Sequence, residues 1–281
     1  MESTKFVQVI GTAGLTTKFM NNNLTVFAPT NEAFAATTSA NDIDLVAVND
    51  VGPTEYAKGI VEGHMVPGWQ FTHDWSDETT LPTEKDGVSI RINIYKHPAH
   101  LMTANCVRIT SSNRPTTRGV IHTVDKILLP ARQNLWEIIS SNNKFTIFAS
   151  LISSELLEEL LNAQNHLTVL AFTNEVFWKL SENMQNRIKT KSGCSSELIR
   201  EHIIPHTICS EAIQGSLELR NLAGHYLNAT KEERSVKFHG VSVISTDRMA
   251  TNGVIHELDD VILLDTSMFK SDVILIFLNK H

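Results

Sequence analysis

One stretch of this chain occurs twice. Leu24-Thr-Val-Phe-Ala-Pro-Thr-Asn-Glu-Ala-Phe34 returns as Leu167-Thr-Val-Leu-Ala-Phe-Thr-Asn-Glu-Val-Phe177, 143 residues later, with 8 of 11 positions identical. Gly119-Val-Ile-His-Thr-Val-Asp125 returns as Gly253-Val-Ile-His-Glu-Leu-Asp259 at an offset of 134. Between them, Glu62-Gly-His-Met-Val-Pro67 matches Arg200-Glu-His-Ile-Ile-Pro205 at an offset of 138. Three echoes in one order require a duplicated unit. A repeat this long is a whole domain rather than a turn of a solenoid. The expected boundaries are 1–131 for the first domain, 132–266 for the second, and 267–281 for an apolar C-terminal tail.

The opening echo has a local physical reading. Leu24 to Ala28 is apolar and partly β-branched, as a buried strand requires. Thr30-Asn31 and Thr173-Asn174 then offer N-cap side chains, with Glu32 and Glu175 in the first helical turn. Each copy therefore begins with helix, strand, sharp turn and helix, and its later half is strands. The spacing predicts helices at 4–20 (broken near Gly11-Thr12), at Glu55–Met65, over 145–161 and at Ser196–Ile203. Residues 37–52 read as loop and short helix. Strands are predicted at 87–94, Leu101–Ile109, Val120–Leu129, Leu217–Leu222, Ser235–Phe238, Val241–Ile244 and Val254–Leu264, with turns at Gly224 and Gly240. Helices and strands segregate, so the fold class is α+β.

Composition excludes several roles. The chain has 281 residues, 42% of them hydrophobic, enough for two cores. Its formal net charge is −7 and it has no basic stripe, so nucleic acid is not an expected partner. No run approaches the ~20 apolar residues of a transmembrane helix. The N-terminus lacks the charged-then-apolar layout of a signal peptide. Three cysteines (Cys106, Cys194, Cys209) make no disulfide framework and leave the pairing open. Asn23-Leu-Thr and Asn228-Ala-Thr are glycosylation sequons.

Catalytic motifs are missing. There is no Gly-rich phosphate loop, no nucleophile elbow and no paired-Cys metal motif, so no enzyme, metal or cofactor is expected. The sharpest candidates are two pairs of histidines, His64 with His202 and His122 with His256. A residue kept in both copies of a duplicated domain fits a buried structural role, with ring nitrogens bonded to backbone, better than an active site.

Together, Thr25 to Phe34, the central His-x-x-Pro, and Thr251-Asn-Gly-Val-Ile-His256 before an apolar strand resemble the fasciclin domain, over both copies. That resemblance implies a wedge-shaped β-sandwich with helices packed on one side. It also implies a secreted, extracellular-matrix protein that binds cells through integrins and binds matrix partners such as collagen. One integrin-contact region of the family is an Asp and an apolar pair just before Thr-Asn-Gly; here that is Asp247-Arg248-Met249, with Arg248 breaking the pair. The first copy has Ser111-Ser-Asn-Arg-Pro115 there. The other region is a Tyr-His pair, and here Gly63-His64 and Glu201-His202 lack the Tyr. Against such relatives, the missing leader and the clipped first helix imply a fragment of a longer chain. The alternative reading is a small-ligand or lipid-binding module with an apolar cleft between helices and sheet. Receptor identity and oligomeric state are left open.

Overall fold

The computed structural model describes residues 3–39, 55–96, 100–190, 192–233 and 235–264. The expected loop and short helix over 37–52 therefore fall largely outside the described residues, and the 267–281 tail wholly so. The chain divides into two compact units, Met1–Arg132 and Gln133–His281. Each contains one seven-stranded sheet with helices against it, an α+β fold.

Unit 1 begins with α1 (Thr4–Thr12) and α2 (Thr16–Asn21). The break lies just past Gly11-Thr12, where Gly14 takes a left-handed φ of 69° and ends α1. Strand β1 (Leu24–Pro29) and α3 (Asn31–Ser39) follow, then α4 (Glu55–Gly63) and β2 (Met65–Pro67). The sheet continues through β3 (Thr79–Pro82), β4 (Ser89–Tyr95), β5 (Leu101–Ala104), β6 (Val107–Pro115) and β7 (Gly119–Val124), in the order β2-β1-β7-β6-β5-β4-β3.

Unit 2 opens with α5 (Leu135–Ser141), α6 (Thr146–Ser154) and α7 (Glu158–Asn162), then β8 (Leu167–Phe172) and α8 (Asn174–Trp178). Next come α9 (Glu182–Thr190), α10 (Ser192–Glu201) and β9 (Ile203–Pro205). Strands β10 (Gly215–Arg220), β11 (Tyr226–Glu232), β12 (Ser235–Phe238), β13 (Val241–Ala250) and β14 (Gly253–Leu258) complete the order β10-β11-β12-β13-β14-β8-β9.

The three echoes turn out to be three neighbouring strands. β1 pairs in parallel with β7 (Leu24 opposite Gly119) and antiparallel with β2 (Val26 opposite Met65). β8 does the same with β14 and β9. The central strand is buried along its whole length in both units. Its side chains alternate between two cores. Leu24, Val26 and Ala28 join the helix-side cluster with Phe6, Ile10 and Val61, while Phe27 joins the sheet-side cluster with Ile90, Ile92 and Val124. In unit 2, Val169 and Ala171 face the helices and Leu170 faces the strands.

The closing glycines follow from this pairing. A Cβ on Gly119 would stand 1.7 Å from the Leu24 carbonyl oxygen, and one on Gly253 would stand 2.1 Å from that of Leu167. Only glycine lets the parallel strands start this close. The long strands β6 and β13 each carry two register shifts against the closing strand. Such bulges bend a strand.

Several sequence-based boundaries need correction. Met65 and Ile203 lie in strands rather than at helix ends, since their backbone groups pair with the central strand. The single strand predicted over Leu101–Ile109 is a hairpin. Asn105 and Cys106 both take positive φ (48° and 61°), the geometry of a tight two-residue turn. The helix predicted over 145–161 breaks at Leu156, which has φ 56°. Helix α9 and strand β11 were missed, and the closing strands stop at Val124 and Leu258.

Candidate functional site

The recurring histidines sit on or directly before the three echoed strands of each unit. His64 and His202 are fully buried at the ends of α4 and α10. The Nδ1–H of His64 donates to the Ile60 carbonyl (2.8 Å), and its Nε2 accepts from the Leu128 N–H (2.9 Å). His202 repeats this with the Leu198 carbonyl (2.8 Å) and the Ile262 N–H (3.2 Å). Each ring thus ties a helix to the segment after the closing strand, in one fixed tautomer. Burial penalises the charged form and lowers both pKa values to about 4.

His122 and His256 use the opposite tautomer. Nε2–H of His122 donates to the Gln70 carbonyl, and that of His256 to the Ile208 carbonyl, both at 2.9 Å. Their Nδ1 atoms accept, at 3.3 Å, from the backbone N–H of Asn113 and Asp247 respectively. Burial lowers the pKa of His122 as well. All eight ring nitrogens of these four histidines therefore have backbone partners, which leaves none for proton transfer to a substrate.

Asp247 is part of this arrangement. It has φ 60° and sits on the bulge of β13. Its Oδ1 accepts from the Ser210 N–H (2.7 Å) and its Oδ2 from the Ser210 hydroxyl. In unit 1 the same place holds Asn113, with φ 58°. Its Oδ1 accepts from the Thr72 N–H (2.9 Å) and its Nδ2 donates to the Thr72 hydroxyl (2.6 Å). Arg248 beside Asp247 is exposed, and Met249 is half-buried.

The sequons lie on the surface, with Asn23 and Asn228 both exposed. Thr25 of the first sequon has a task of its own. Its hydroxyl donates to the Gly68 carbonyl and accepts from the Gln70 N–H, both at 2.8 Å. Thr168 makes the same pair of bonds with His206 and Ile208 in unit 2.

A cleft of about 670 Å³ in unit 2 lies between the start of α8 and the β13–β14 strands. Lys144, Asn174, Glu175, Lys179, Glu257 and Asp259 line it, against only Val176 and Ile244 as apolar groups. Most of its lining residues are charged or polar, unlike the predominantly apolar side chains of a lipid site. Among the described residues, no helix is long and apolar enough to cross a membrane.

Sequence reasoning missed two groups here. Buried Asn252 accepts from the Leu135 N–H (2.9 Å) and donates to the Leu161 and Ala163 carbonyls (both 2.7 Å), joining the start of α5 to the end of α7. The Thr-Asn-Gly motif contained that signal. The cluster Glu197, Glu201 and His225 was also missed, because only the fold brings His225 to the helix.

Fold and pins together define a class: a duplicated α+β domain with a histidine-pinned, glycine-closed parallel strand pair. The fasciclin domain profile matches residues 2–130 and 143–264, so the chain belongs to the fasciclin domain family. It is 29% identical over 246 residues to pig transforming growth factor-beta-induced protein ig-h3, covering 87% of this chain and 35% of that protein. It is also 29% identical over 247 residues to human periostin, covering 87% of this chain and 29% of that protein. The chain thus spans about a third of the length of these relatives. A solved domain pair from the insect cell adhesion molecule Fasciclin I aligns with 94% of this chain and 97% of its own, at 16% identity and a TM-score of 0.47.

Proposed function

We propose that this chain is a non-enzymatic adhesion module of the extracellular matrix, acting through surface contacts with a cell receptor of the integrin type and with matrix proteins such as collagen. The observation that carries this reading is the match of both domains, in tandem, to the fasciclin family. The backbone-saturated histidines agree with a role that needs no catalysis. The small-ligand alternative draws no support from the polar cleft of unit 2.

The receptor contact is placed at Asp247-Arg248-Met249. In this reading the anchored Asp247 shapes the bulge and Arg248 is the side chain it presents. The test is attachment of cells to the purified chain, with Mg2+ and with EDTA, beside Asp247→Asn and Arg248→Ala. Asp247→Asn keeps the bulge as Asn113 does in unit 1 while removing the charge. Cation-dependent attachment that Arg248→Ala reduces at least about fivefold supports the site. Loss with Asp247→Asn instead assigns the contact to the carboxylate. Attachment that neither variant changes rejects this loop. No attachment by the wild-type chain rejects the adhesion reading for this chain.

A further inference from the structure

Helix α10 carries Glu197 and Glu201 one turn apart, so both point to the same side. The hairpin between β10 and β11 brings His225 against them. Its Nδ1 lies 3.2 Å from Glu201 Oε1 and 3.8 Å from Glu197 Oε1, and the three atoms all lie within 4.8 Å of one another. Ligand atoms held ~2.0–2.1 Å from a tetrahedral Zn2+ stand ~3.3–3.4 Å apart. The observed separations bracket that edge.

Backbone bonds hold the three groups in place. Glu201 is buried, and its Oε2 accepts from the Leu264 N–H at 3.3 Å. Asn221, also buried, donates from Nδ2 to the Glu201 carbonyl (3.2 Å). It also exchanges two 2.9 Å hydrogen bonds with the backbone of His225. The end of the helix and the histidine are thus joined by one side chain.

The other copy supplies an independent observation. With His64 set on His202, Glu197 corresponds to Gly59 and Glu201 to Gly63. The same helix, ending on the same pinned histidine, is built in unit 1 with no side chain at either position. Unit 1 therefore builds this helix without either carboxylate.

We propose that Glu197, Glu201 and His225 form a site for a zinc-class divalent cation, bound through two carboxylates and one imidazole with a further position open to water. The imidazole favours Zn2+ over Mg2+ or Ca2+, which prefer all-oxygen sets. Glu197 and His225 are only partly buried, which leaves the site a route to solvent.

The test is calorimetric titration of chelator-treated, untagged protein with zinc chloride, beside His225→Ala and Glu197→Gln. Both substitutions fall on partly exposed side chains, and circular dichroism checks their folding. The wild-type chain is expected to bind zinc at least about tenfold more tightly than either variant. Zinc is expected to raise its melting temperature and to leave those of the variants unchanged, since binding to the folded state alone stabilises it. Absence of zinc binding in the wild type would reduce the cluster to an ion pair and overturn the proposal. Equal zinc affinity in all three proteins would also overturn it, by placing the metal among the other histidines.

Discussion

Residue 113 of unit 1 is asparagine, and the residue at the same place in unit 2, Asp247, is a carboxylate. Both stand on a bulge with positive φ, both give their backbone N–H to a histidine, and both bond a hydroxyl residue that begins a short 3-10 turn. The two units differ there in charge and not in shape. A second difference lies on the helix before the pinned histidine, where Gly59 and Gly63 of unit 1 correspond to Glu197 and Glu201 of unit 2. Where the copies agree, a backbone group is being satisfied or a close approach permitted. At Glu197 and Glu201, unit 2 carries side chains that unit 1 does without, and a binding property has room to arise in one unit alone.

The largest effect expected from this comparison is at the closing glycines. Gly119→Ala places a methyl at 1.7 Å from a backbone oxygen that cannot retreat without breaking β1–β7, and Gly253→Ala does so at 2.1 Å against β8. Each substitution is expected to cost more than about 4 kcal/mol and to abolish the cooperative melting of its own unit. Calorimetry of the single variants reads this, and a variant melting like the wild type would contradict the close approach of the paired parallel strands.

The next effect is a pH dependence shared by both units. His64 and His202 are held neutral in the fold with pKa values of about 4, against 6.5 in the unfolded chain. The unfolded chain therefore binds more protons between these values. The stabilisation is complete above pH 6.5 and falls as the pH drops toward 4, by about 3 kcal/mol for each histidine. His122, shifted the same way by burial, adds to the loss in unit 1. Urea unfolding at pH 7 and pH 5 measures it, and equal midpoints would contradict the burial of the rings.

The smallest effect sharpens the comparison. Asp247→Ala removes two hydrogen bonds to Ser210 and is expected to cost about 1–3 kcal/mol. Asp247→Asn copies the solution of unit 1 and is expected to stay within about 0.5 kcal/mol of the wild type. If both variants lose the same stability, the carboxylate charge matters to the fold, and the equivalence with Asn113 fails.

The duplication made much of this fold legible. Strand, Thr cap and helix follow from Leu24–Phe34 alone, and Thr30 and Thr173 do cap α3 and α8, at 3.2 and 3.4 Å. The neighbouring asparagines do something the sequence did not reveal. Asn31 and Asn174 accept from the N–H of Lys5 and Ile147, both at 3.0 Å, and so cap the first turn of a different helix. The Asn105-Cys106 turn was hidden because cysteine carries no preference for positive φ. The pairing of the opening and closing echoes as parallel neighbours was not legible either, since parallel register depends on tertiary packing rather than on a turn. Helix α9, over Glu182–Thr190, was missed because its residues are mostly polar and give a weak apolar stripe. For the candidate sites, sequence pointed to Asp247 but could not show that its oxygens are engaged, and it gave no spacing by which to join His225 to Glu201.

The most direct test of the central claim is a histidine ring 15N–1H spectrum of the intact chain at pH 7 and pH 5. The account predicts that His64 and His202 carry their proton on Nδ1 and remain neutral at both pH values. A ring charged at pH 5, or protonated on Nε2 at pH 7, would contradict it, and would return the recurring histidines from the framework to the list of candidate sites.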